Sequence, residues 1–464
     1  MIGIHYIDKK TVSETFHLLK ISWDWYIPGK SYDVVIAYKN EVPDFRGPVI
    51  DLTANDVFKK IWVLLNDGQP HLHEPLCDIA LDDLRRELKK YTILVEIPPA
   101  PWDYSYMIAL THDVDITSVR QSRMISVLYA AWQCILQLEF RAGLRIILAK
   151  SGIGNDPWDL FGYWKSLESR LGVCSTFYFV PFKETPGVFS HPYRAVPYDI
   201  DPEILRDLIA GGWEVGVHGI DNWSDVDRGT AELERVGVNG AGNRTHWLLF
   251  NNKSWTMLDA AGYSYDTTFG YNDDAGFRAG TTQVYRPEGV FTLLELPMHI
   301  QDVGLFGKFC WALTDNGWKK TSCLNLSDHA AMDHCDRIFG YARKYGGAIT
   351  VLWHYENITP PRDWSEMYSS LVKRAKDDGA WVTTAKDVVN WFRSRRDMQI
   401  RSFVDGKKIT IHIQPQLHMN EIPFMKVRVH IDPSLISHID AEYKTGDQYV
   451  DIKCDRSEII VVLQ

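Results

Sequence analysis

Short apolar runs recur through the middle of the chain, and each ends on polar residues. Residues 107–110, 175–180, 214–218, 348–354 and 380–383 are continuous runs of this kind. Runs that short, bounded by polar residues or glycine, fit strands buried on both faces of a parallel sheet. Between them, residues 157–170, 202–210, 254–261 and 330–345 carry helical spacing. The alternation predicts an α/β fold with a parallel sheet, open or closed into a barrel, whose chemistry gathers at the carboxyl ends of the strands.

The flanks have a different texture. Residues 31–38 read as a strand, and Val57, Ile61, Leu64 and Leu65 mark a helix over 52–65. The proline-rich stretch IPPAPW at 97–102 punctuates the chain. Beyond 397, short alternating runs at 409–413, 425–431, 448–452 and 458–463 predict a small all-β module. The expected division is an N-terminal α/β domain (1–102), a central domain (103–397) and a C-terminal β module (398–464). Residues 125–150 are apolar with basic and amide interruptions. They read as a packed or lid-like helix, with a membrane surface or a partner as the alternative.

The candidate chemistry sits where the apolar runs stop. In MIALTHDVDI (107–116), Asp113 and Asp115 are two residues apart, so an extended backbone turns both carboxylates to one side. Adjacent carboxylates are costly unless a cation is near, and a divalent metal would serve. The rival reading is a turn whose aspartate caps a helix. Three further runs end on polar residues: His218 closes WEVGVH, Arg244 and His246 stand in NRTHW, and His354 closes TVLWH. One histidine at a strand end is usually structural. Three, with two aspartates on the same expected sheet, are hard to treat as independent accidents.

In order and spacing these motifs resemble the polysaccharide deacetylases of carbohydrate esterase family 4 and their amidohydrolase-like relatives. Thr111, Asp113 and Asp115 match a T-x-D-x-D motif. His218 matches the first histidine of H-x-x-x-H, but Asn222 stands where the second belongs. Arg244 and Trp247 match an Arg–aromatic motif, and 352–354 match an apolar strand ending in histidine. The resemblance spans about 105–395. It implies a deformed (β/α) barrel and a metal-dependent hydrolase, with zinc as the expected ion, that removes an acetyl group from an N-acetylated amino sugar or glycan intermediate.

The resemblance also implies roles: Asp113 as general base held by Arg244, His354 as general acid, Asp115 and His218 as metal ligands. Zinc needs at least three protein ligands. His246 is the preferred third, with Asn222 and Asp221 as alternatives and His112, Asp266, His299 and Asp302 as more distant ones. Two other readings stay open: a metal-free amidohydrolase acting on a small cyclic amide, and a catalytically silent glycan-binding protein.

Composition narrows the partners. The 464 residues carry a net charge of −10, which disfavours nucleic acid. With 17 Trp and 22 Tyr, aromatic surfaces for stacking on sugars are available, as are aromatic cores. Seven scattered cysteines without a CxxC pair suggest reduced thiols. No secretory leader pattern and no apolar stretch of about 18 residues is present, so a cytoplasmic protein without a transmembrane helix is expected. Oligomeric state is not legible. His71 and His73 read as a solvated loop, and Arg278 as either an anchor for an anionic substrate group or a tie to Asp273 or Asp274.

Overall fold

The computed structural model describes residues 1–38, 42–182, 198–220, 222–314, 317–414 and 423–464. Its centre is a nine-stranded sheet whose pairings are all parallel. In chain order the strands are β1 (Tyr106–Val114), β2 (Thr176–Phe179), β3 (Glu214–Gly219), β4 (Gly242–Thr245), β5 (Tyr265–Asp266), β6 (Leu294–Glu295), β7 (Met298–Gln301), β8 (Ala348–Leu352) and β9 (Ala380–Thr383). Their order across the sheet is β6-β5-β4-β3-β2-β1-β8-β7, with β9 paired to the first half of β1.

Closure follows from chain length. β6 and β7 lie at opposite ends of that order, yet only Leu296 and Pro297 separate them. At 3.8 Å per Cα step, so short a link forces the two ends together, and the sheet curls into a deformed (β/α) barrel. Helices cover its outside. Pro202–Ala210 starts on an Asp201 cap with proline in the first turn, and Asp328–Tyr345 on a Ser327 cap. The strands at 176–179, 214–219 and 348–352 match the expected runs within two residues. β1 does not stop at Leu110 but continues through Val114, so Asp113 is itself a strand residue.

Inside the barrel, the Tyr178 and Tyr265 hydroxyls hydrogen-bond at 2.8 Å, and Tyr265 donates to Glu214 at 2.8 Å. Gly216 and Gly242 make room for them: a Cβ on either would overlap the Tyr178 or Tyr265 ring. This layer fills the floor beneath the strand ends.

A four-stranded parallel sheet (Trp23–Trp25, Ile2–His5, Val34–Ala37, Val49–Asp51) lies N-terminal to the barrel. Its apolar core and that of the barrel form one continuous cluster. Two four-stranded antiparallel sheets follow the barrel, and Val95–Glu96 supplies one strand to the second of them. The helix Ala385–Asp397 ties the parts together. Arg396 makes a bidentate pair with Glu14 at 2.7 Å, and Arg395 donates to the carbonyls of Leu18 and Ile97. No helix among the described residues is long and apolar enough to cross a membrane.

Replacing Gly242 with valine should overpack the barrel floor and cost about 1–3 kcal/mol, read as a lower denaturant midpoint; unchanged stability would contradict this packing.

Candidate metal centre and active site

The carboxyl ends of β1, β3, β4, β7 and β8 surround one cavity of about 270 Å³, lined by Asp113, Asp115, His218, His246, His354 and Glu356 among others. Register explains the convergence. Leu352 pairs with Thr111, so the chain reaches His354 at the level of Asp113. His218 pairs with Arg244, which brings the ends of β3 and β4 together. His246 leaves the strand in a short 3-10 turn, where Trp247 and Leu248 take left-handed φ values of 64° and 51°. Each such residue costs roughly 1–3 kcal/mol, and strain of this kind collects at functional sites.

One carboxylate oxygen and two imidazole nitrogens define the centre. Asp115 Oδ1 lies 3.3 Å from His218 Nε2 and 3.6 Å from His246 Nε2, and the three candidate ligand atoms all lie within 4.8 Å of one another. His218 Nδ1 pairs with the Arg244 carbonyl at 2.8 Å. A carbonyl only accepts, so Nδ1 carries a proton and Nε2 is the nitrogen turned toward Asp115. Burial pushes the His218 pKa down, but the Asp113 and Asp115 carboxylates outweigh it and raise it. Asp115 Oδ1 is buried without a hydrogen-bond donor. One carboxylate with two imidazoles is a donor set suited to zinc when the imidazoles are neutral. The residues present therefore fit a divalent ion. Burial alone would raise the Asp115 pKa, but His246 and then His218 outweigh it and hold the carboxyl below its usual range.

Asp113 stands beside this centre, its Oδ2 3.8 Å from His218 Nε2 and its Oδ1 3.6 Å from Arg244 Nη1. Arg244 is fully buried. It donates from Nε to the Thr267 carbonyl, and from Nη2 to Thr111 at 3.3 Å and Thr267 at 3.2 Å. Those bonds fix the guanidinium against Asp113.

On the opposite wall, His354 Nδ1 meets Asp302 Oδ1 at 2.7 Å. Asp302 Oδ2 accepts from the His354 backbone N–H at 2.8 Å and from Asn357 at 2.7 Å. Burial pushes the imidazole pKa down, but the Asp302 charge overrides it and holds His354 up at about 10. Glu356 lies next to it with a buried, unpartnered Oε2, pushed up to about 7 by burial and then by the Asp115 charge.

Several alternatives raised by the sequence sit elsewhere. Asn222 is not one helical turn beyond His218. The chain bends after Gly219, and the Asn222 amide donates to Asn243 at 2.7 Å and to the Tyr263 hydroxyl at 3.2 Å, away from the centre. Asp221 lies outside the described residues. His112 alternates to the other face of β1 and is buried between the Trp353 carbonyl (2.7 Å) and Glu168 (2.9 Å). His299 bridges Thr281 and Thr350 in the core, its pKa pushed down to about 4 by burial. Asp266 is held by Asn243 and Thr268. Asp302 positions His354 and is not one of the three facing atoms.

Arg278 neither faces the cavity nor pairs with Asp273 or Asp274. It donates to the Gly270 carbonyl at 3.0 Å and stacks 4.3 Å over the Phe269 ring. Asp274 instead takes His71 at 3.0 Å, near His73 and His334, and so joins the 71–73 loop to the barrel. Both His334 nitrogens are already engaged, by Arg337 and the Ala275 carbonyl.

No protein-family model and no curated protein matches the chain. Its neighbours among solved structures include polysaccharide deacetylases. One, from Mycobacterium smegmatis, is 19% identical, with 65% of this chain and 96% of that chain covered and a TM-score of 0.40. Another, from Pseudomonas aeruginosa, is 15% identical, covering 64% and 94% with a TM-score of 0.39. A PuuE allantoinase is 12% identical, covering 63% and 92% with a TM-score of 0.39.

Dialysis against zinc should leave one ion at this centre in the wild type and in Asn222→Ala. Asp115→Ala, His218→Ala and His246→Ala should each lower zinc affinity by about 10–100-fold or more, measured by metal content after gel filtration. Loss of zinc from Asn222→Ala, or its retention by all three ligand variants, would contradict the ligand set.

Proposed function

We propose that the protein is a metal-dependent hydrolase that removes an acetyl group from an N-acetylated amino sugar or glycan. The observation carrying this reading is that one small cavity holds a convergent Asp–His–His donor set, a carboxylate beside a buried guanidinium, and an imidazolium buttressed by aspartate. Amide hydrolysis needs all three functions: an electrophile for the carbonyl, a base for water, and an acid for the departing amine.

Asp115, His218 and His246 would hold the ion. When bound, a divalent cation supplies Lewis acidity toward the amide carbonyl. Asp113 takes the proton of the attacking water, with Arg244 keeping its carboxylate turned to the cavity. His354 donates a proton from Nε2 to the leaving nitrogen, because Nδ1 is committed to Asp302. An amide nitrogen leaves poorly as an anion, so this proton is required for C–N cleavage. The cavity volume is near the lower end of small-molecule sites, roughly 300–1,000 Å³, which suits one sugar unit presented end-on.

Release of acetate from N-acetylated amino sugars by the zinc-loaded protein tests the reaction. Asp113→Asn and His354→Ala should each lower turnover by about 10²–10⁴-fold with unchanged melting temperature; full activity in either would contradict the assignment. The acid adds a pH test. Asp302 raises the His354 pKa, so the protonated, donating form persists until pH rises through about 10. Asp302→Asn removes that anion, and the basic limb of the pH–rate profile should move down toward about 6.5, the ordinary imidazole range. A limb that stays in place would separate His354 from the acid role.

A further inference from the structure

Directly after Asp115 the chain leaves the carboxyl-terminal end of the barrel and builds a helical hairpin, Met124–Leu136 and Phe140–Lys150, before returning to the helix Phe161–Leu171. The sequence reads this stretch as a packed or lid-like helix, with a membrane surface or a partner as the alternative, and the structure shows two helices that leave most of their large apolar side chains exposed. The side turned inward packs Val127 and Ile146 together with the smaller Ala131, Cys134, Gly143 and Ala149, and a Cβ on Gly143 would come within 3.1 Å of the Ala131 carbonyl, so the helices touch closely. Most of the large residues point outward: Ile125 is 72% exposed, Tyr129 63%, Trp132 52%, Leu136 58%, Phe140 57% and Leu144 60%. In the first helix they recur at helical spacing along one stripe. A soluble surface rarely keeps so large an apolar patch uncovered.

Charge says what covers it. Across residues 116–154 the basic side chains are Arg120, Arg123, Arg141, Arg145 and Lys150, and the only acidic ones are Glu139 and none before Asp156, giving 5 − 1 = +4 in a chain whose net charge is −10. Arg141 and Arg145 are exposed on the same helix as Phe140 and Leu144. Apolar side chains rimmed by arginine, with Trp and Tyr among them, match the interfacial zone of a bilayer carrying anionic headgroups. A second copy of an acidic chain would meet the cations as well, but it has no need of a lipid-depth stripe that includes both Trp132 and Leu138 at the hairpin's turn, 76% exposed.

We propose that this hairpin docks the protein on an anionic membrane surface, with its apolar stripe in the headgroup–acyl boundary. The inference does not depend on the reaction assigned to the cavity. Docking would hold the end of the barrel that carries Asp113, Asp115 and His354 close to the lipid surface.

Co-sedimentation with vesicles tests it, using the full chain with phosphatidylcholine alone and with phosphatidylcholine mixed with phosphatidylglycerol. The wild type should pellet with the mixed vesicles and much less with the neutral ones, and added salt should release it. The double variant Trp132→Ser, Leu136→Ser should stay in the supernatant. Arg141→Glu with Arg145→Glu should weaken binding about tenfold or more. These positions are exposed, so melting temperatures should not fall. A wild type that binds neither vesicle overturns the proposal. So does binding that survives the Trp132/Leu136 variant, or a solution dimer that this variant splits, since the stripe would then be covered by a second copy.

Discussion

One carboxylate and two imidazoles converge where water is scarce: Asp115 Oδ1 and the Nε2 atoms of His218 and His246. In the bare protein protonated imidazoles stabilise the carboxylate, and around a divalent cation the same three atoms are a ligand set. Arg244 is the hinge of that construction. Its backbone carbonyl fixes the tautomer of His218, and its side chain, tied to Thr111 and Thr267, fixes Asp113. One buried residue thus sets the orientation of both His218 and Asp113.

The opposite wall solves a different electrostatic problem. Asp302 holds the His354 imidazole through Oδ1, while its Oδ2 accepts from the His354 backbone N–H and from Asn357. Asp113 on β1 and His354 just beyond β8 stand on opposite walls, and the register of the two strands keeps them at one level. The barrel floor of Tyr178, Tyr265 and Glu214 and the flanking modules, locked by Arg395 and Arg396, give those strand ends a rigid base.

Much of this was legible in the chain because buried parallel strands are apolar throughout and stop at a polar residue. That pattern alone brings out Asp113, Asp115, His218 and His354, and the parallel α/β architecture, whereas Arg244, on the polar strand GNRT, rested on the motif resemblance. What was not legible depended on local geometry or on distant pairing. Asn222 reads as an i+4 neighbour only if a helix follows His218, and the chain turns instead. His112 reads as one of a polar cluster, but strand alternation sends it outward. Asp302 ends its own strand after PMHIQ, the same signal as the others, yet its partner lies 52 residues away. Glu356 sits beyond the end of β8, with no periodicity to mark it. The hydrophobic pattern left the sheet open or closed, because β5 and β6 are two residues each, too short to stand out from loops, and the expectation of a barrel came from the family resemblance.

The most direct measurement is the position of zinc in crystals of this protein, located by anomalous scattering at the zinc edge. A single strong peak within bonding distance of Asp115, His218 and His246 is the expected result. A peak at His73, Asp274 and His334 with none at Asp115, or no peak in zinc-soaked crystals, would contradict it.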